Sequence, residues 1–70
     1  MRRRDSLKPA LEALRDGDPT VRVQAVGVIG FLKLEEAMPA LKSATADTDP
    51  HVRRAAVSAL AFSQTQIATE

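Results

Sequence analysis

Asp16–Arg22 reads DGDPTVR, and Asp47–Arg53 reads DTDPHVR. The offset is 31 residues, and the likeness runs past the phrase. Between 16–31 and 47–62, eight positions are identical: Asp16/Asp47, Asp18/Asp49, Pro19/Pro50, Val21/Val52, Arg22/Arg53, Ala25/Ala56, Val26/Val57 and Phe31/Phe62. Self-similarity at a fixed period of about 20–50 residues marks an array of one supersecondary unit that buries its core by stacking. The unit here predicts a pair of helices, and the fold class is all-α: four helices in two stacked pairs. Such a stack offers a binding surface rather than a reaction centre.

The phrase divides into separate jobs. Gly17 stands where glycine commonly follows a helix end. Asp18 and Asp49 are placed as N-caps, with Pro19 and Pro50 at the first helical position, where a missing N–H costs nothing. Val21, Ala25, Val28, Ile29 and Leu32 then recur at helical spacing and predict an inward face. Val52, Ala56, Ala59 and Leu60 copy it, and Val26 and Val57 fall to one side, on the open sides of the stack. Gly30 invites close approach of a neighbouring helix, while both Gly27 and Gly30 weaken the helix that carries them.

The flanking helices follow the same logic. Ser6 is placed to cap the first, with Pro9 in its first turn, and Leu7, Leu11 and Leu14 form its apolar stripe. Lys33-Leu34-Glu35 connects the two pairs, and Glu36 opens the third helix, where a negative charge is favourable. Ala37, Leu41 and Ala44 form the matching stripe, with Met38 beside it. Pro9-Ala10-Leu11 recurs as Pro39-Ala40-Leu41 at an offset of 30, which predicts one extra residue between Leu41 and Asp47. The divisions are then 1–5, a flexible basic start; 6–34 and 35–64, the two repeats; and 65–70, a polar tail or the first piece of a further helix.

Composition narrows the function. The 70 residues allow one small domain. Ten Lys and Arg stand against nine Asp and Glu. Three of the ten are Arg2, Arg3 and Arg4, so the remainder lacks the basic face of a general nucleic-acid binder. There is no cysteine, hence no disulfide framework or thiolate metal site. No apolar h-region follows the arginines, and no apolar run approaches the ~20 residues of a membrane span. The expectation is a soluble cytoplasmic protein with no membrane contact. Its apolar residues are mostly alanine, which favours helices in close contact. So small a core predicts a marginal monomer, or one that gains burial from another chain.

PALEALRDGDPTVRVQAVGVIG and PALKSATADTDPHVRRAAVSALA resemble the short HEAT-like repeats, a subtype also found in phycobilisome lyases. The resemblance covers about residues 7–64. It implies an α-solenoid of two HEAT-like helix pairs, used for protein–protein contact. It also implies an inter-repeat ladder of Asp16, Arg22, Asp47 and Arg53, in which Arg22 reaches Asp47, because an Arg fork can hold a loop carboxylate and fix register.

Function is therefore expected to be non-catalytic: an interaction or scaffold module. One alternative is an accessory subunit of a chromophore lyase or similar enzyme. Another is a nucleic-acid-associated module acting through Arg2–Arg4. Phe31 and Phe62 occupy equivalent positions, and Val23 and Arg54 share their helix faces, so Val23, Phe31, Arg54 and Phe62 form the candidate partner site. The competing expectation is that both rings fold back into the core. Apolar open ends of the stack predict self-association or docking onto another protein. His51 is the one histidine, and a metal site needs several ligands at compatible spacing. The serines and threonines lack a neighbouring base. No catalytic, metal or cofactor site is expected.

Overall fold

The computed structural model describes residues 3–32 and 35–68, with side chains over 5–32 and 35–63. Four helices follow in order: α1 (Arg3–Ala13), α2 (Pro19–Leu32), α3 (Met38–Ala44) and α4 (Pro50–Ala68), with a 3₁₀ turn (Glu35–Ala37) leading into α3. No strand occurs among the described residues. The side chains of Arg2–Arg4 and Ile67, and the connection at Lys33-Leu34, lie outside them.

α1 packs on α2, α3 on α4, and the broadest contact is between α2 and α4. These two helices run side by side in the same direction. Arg22, near the start of α2, reaches Asp47 just before α4, and Gly30, near the end of α2, meets Ala59 and Ser63. The product is two antiparallel hairpins stacked laterally. Leu7, Ala10, Val26, Ile29, Leu32, Ala37, Leu41, Ala44, Val52 and Ala56 form one continuous core. Leu11, Leu14, Val23, Met38, Ala59 and Leu60 pack against it, half-buried.

Several expectations change here. α1 starts at Arg3, so Ser6 lies inside the helix and does not cap it. Pro9 is likewise interior, where it removes one rung of the i→i−4 ladder. Glu36 sits in the 3₁₀ turn, and α3 begins at Met38. α4 continues to Ala68, so 65–68 prolong the fourth helix. The inward face of α2 is rotated from the expected one: Val26 has no exposure, whereas Val28 is 44% exposed. A middle helix must face its hairpin partner and the next pair together, and that combined direction brings Val26 inside.

The helix ends also differ. α1 finishes at Ala13 through tightened turns, Arg15 N–H to Glu12 O at 3.0 Å and Asp16 N–H to Ala13 O at 3.1 Å. After α3, Ala46 N–H to Ser43 O and Asp47 N–H to Ala44 O repeat this geometry, both at 3.1 Å. Gly17 does not adopt the left-handed conformation, and Thr48 serves equally well at its equivalent position. These matching bonds keep the offset of 31 back to Ala10 and Leu41. No extra residue lies between Leu41 and Asp47, and the two PAL triplets are out of step by one in the helical frame.

Candidate interaction surface

The loops before α2 and α4 are built alike from their aspartates. Asp18 N–H donates to Asp16 Oδ1 at 2.8 Å, and Asp49 N–H donates to Asp47 Oδ1 at 2.9 Å. One step on, Thr20 N–H donates to Asp18 Oδ1 at 2.9 Å and His51 N–H to Asp49 Oδ1 at 2.8 Å. Each aspartate pair thus turns the chain and then satisfies a donor at the helix start, one of the groups a helix cannot satisfy internally. His51 Nδ1 also lies 3.4 Å from Asp49 Oδ1, with its ring in solvent.

Arg22 links the two hairpins. Its Nε donates to Asp47 Oδ2 at 3.0 Å and its Nη2 to Asp47 Oδ1 at 3.1 Å, while Nη1 donates to Asp16 O at 2.8 Å. Both side chains are largely covered. The N–H of Asp49 and the Arg22 fork hold the Asp47 carboxyl below the ordinary carboxylate range. Its bond to Asp47 raises Arg22 in turn. Asp49 is lowered as well, first by the N–H of His51. Arg53 makes the intra-loop half of this arrangement: Nη1 donates to Asp47 O at 2.9 Å and Thr48 O at 3.1 Å. The structure therefore joins Asp16, Arg22 and Asp47 in one network across the hairpins and keeps Arg53 on its own loop.

The aromatic residues are at the surface. Phe31 is 78% exposed and Phe62 47%. Thr20, Gly27, His51, Arg54 and Ser58, which share their helix faces, are exposed, and Val23 is half-buried against the core. Neither α2 nor α4 contains an Asp or Glu; their cationic residues are Arg22, Arg53 and Arg54. Acidic residues are confined to α1, the 3₁₀ turn and the loops among the described elements. The outer face of α2 and α4 thus combines exposed apolar residues with the exposed cation of Arg54, while Arg22 is held by Asp47 and Arg53 by its own loop.

Two features were not anticipated from sequence. Ser63, at the end of the second repeat and given no role by the sequence, is 1% exposed and donates its hydroxyl to Gly30 O at 3.2 Å. That oxygen is among the last four carbonyls of α2, which a helix leaves without in-helix donors. The second is an open groove of about 500 Å³ between α1 and α3, with Leu11, Leu14, Ala40 and Ala44 below and Lys8 and Arg15 at its rim. The stripes of Leu7, Leu11 and Leu14 and of Ala37, Leu41 and Ala44 were legible, but not the place of Ala40 beside Ala44 or the space left between the two helices.

Among the described residues, no three of His, Cys, Asp and Glu are grouped to hold a metal ion, and no helix is long and apolar enough to cross a membrane. The profile of a family described as HEAT repeats matches residues 7–70. No curated protein and no solved structure gives a match.

Proposed function

Because the chain belongs to the HEAT-repeat family, we propose that it is a non-catalytic protein-interaction module, with 6–34 and 35–64 as its repeats. Its contact surface is the α2–α4 layer around Val23, Phe31, Arg54 and Phe62. The observation that carries this is the exposure of both phenylalanines at the same position of two adjacent helices. Exposed aromatic residues on a rigid face are the usual anchors of protein contacts. The acid-free composition of α2 and α4 adds a preference. The partner is a polypeptide segment with apolar anchors and an acidic group placed to meet Arg54. Arg22 and Asp47 tie the two repeats and keep the two faces in register.

The test is affinity capture from native lysate by the wild-type chain and by a Phe31→Ser, Phe62→Ser variant. Proteins held by the first and lost from the second, with the helical circular-dichroism signal unchanged, support the surface. Equal capture by both removes it. A salt series separates a nucleic-acid partner, whose phosphate contacts weaken steeply with ionic strength.

A further inference from the structure

The two hairpins are copies, so positions 31 residues apart have the same surroundings within their own pair. A difference in burial between them measures what the neighbouring pair covers. Val26 is fully buried and Val57 is 57% exposed; Gly30 is buried and Ala61 exposed. The α2 face carrying Val26 and Gly30 is thus covered by the second pair, and its copy on α4 is open. In the other direction, Val52 is fully buried where Val21 is half-buried, and Ala59 is half-buried where Val28 is exposed. The face by which α4 sits on α2 therefore recurs, uncovered, on the far side of α2. One end of the stack presents Val57, Leu60 and Ala61, and the other Val21, Gln24 and Val28.

The polar tie recurs with the apolar face. Arg53 is anchored through Nη1 to Asp47 O just as Arg22 is anchored to Asp16 O. Its Nε and Nη2, the atoms by which Arg22 grips Asp47, have no acceptor among the described residues. Asp16 takes the Asp18 N–H on Oδ1, as Asp47 takes that of Asp49, and its Oδ2 has no donor among the described residues. Arg53 at one end and Asp16 at the other are the two halves of another Arg22–Asp47 pair.

We propose that a second copy of the chain docks head to tail on the first. Asp16 of the following copy enters the Arg53 fork, and the Val21–Val28 face closes over Val57. Charge and apolar surface match in the same order as at the internal junction. The fit is looser, for a visible reason. A Cβ at Gly30 would lie 2.8 Å from the Ala59 Cβ. At the junction between copies Ala61 stands for Gly30 and Val28 for Ala59, so the helices sit farther apart and the association is weak. The contact joins different surfaces of each copy, so it propagates as an open chain unless rotation closes a ring. It involves none of the residues of the Phe31–Phe62 surface, and either proposal survives failure of the other.

Sedimentation velocity across micromolar to millimolar concentration tests it. The wild-type chain is expected to grow in mass with concentration, beyond a dimer. Asp16→Asn and Arg53→Gln should each weaken this about fivefold or more. An equimolar mixture of the two variants retains one native Asp16–Arg53 junction and is expected to favour a 1:1 heterodimer. The Val28→Ala, Ala61→Gly variant, which restores the internal spacing, should associate more tightly than wild type. Circular dichroism checks that each variant keeps its helices. A monomer at every concentration overturns the proposal, as does a dimer that stops at two and ignores both substitutions.

Discussion

Gly27 and Gly30 lie three residues apart on α2, and alanine at each has opposite expected effects. Nothing lies within 4 Å of a Cβ at Gly27. Gly27→Ala should stabilise by about 0.5–1 kcal/mol through helix propensity alone. Gly30→Ala gains the same propensity but drives a methyl into Ala59. Overpacking costs about 1–3 kcal/mol, so net destabilisation is expected, and urea denaturation of both variants reads the sign. Ser63→Ala should cost about 1 kcal/mol in the same measurement, because it strips the hydroxyl from the buried Gly30 carbonyl. Gly30 could be marked from sequence because a glycine inside a helix needs a reason. Ser63 could not, since a hydroxyl among polar residues carries no sign of burial. Val26 and Val28 were exchanged for a related reason. Periodicity names the apolar residues, but the arc that is covered depends on the direction of the neighbouring hairpin.

At the scale of the element, the loops between helices carry a pH dependence. Asp47 and Asp49 both have carboxyls held below their ordinary value. Their contribution to stability is full above the unfolded carboxylate pKa of about 4. It is lost as pH falls from there through the folded values. Melting temperature should therefore drop as the solution is acidified below about pH 4. Asp47→Asn keeps an oxygen for the Asp49 N–H but turns an amide toward Arg22. It should lower the melting temperature at neutral pH and flatten the fall on acidification. A melting temperature that falls equally steeply in both proteins would contradict this assignment. The start of each second helix was legible because Asp and Pro have few other uses at that spacing. The ends of α1 and α3 were not. Both close by i→i+3 bonds open to any residue, so Gly17 gave a signal the chain does not use. α4 also outran its expected end, since Gln and Thr neither stop nor announce a helix.

At the scale of the molecule, the repeat set the architecture, and the differences between its copies set the surfaces. Phe31→Ser should change stability by less than about 0.5 kcal/mol, because most of the ring already lies in solvent. The same substitution should reduce partner capture, and thermal melting beside the capture experiment separates the two effects. A large loss of stability would assign Phe31 to the fold instead. Sequence placed both rings on one helix face but left open whether they point in or out. The answer depends on how far each ring stands from the seam between the hairpins, a distance no spacing rule supplies.

The groove between α1 and α3 has a mechanical meaning. The hairpins are joined along the α2–α4 seam and by the Arg22–Asp47 tie, while α1 and α3 stand apart on the other side. Such a body has one soft direction. Hinging about the seam, which closes or widens the groove, is expected to be the softer motion, because α1 and α3 make little direct contact with each other. Sliding one hairpin along the other is stiff, because Ala59 is seated against Gly30. On that expectation the molecule acts as a short leaf spring. Its compliance lies in the outer layer, and its bending changes the curvature of the opposite face that carries Phe31 and Phe62.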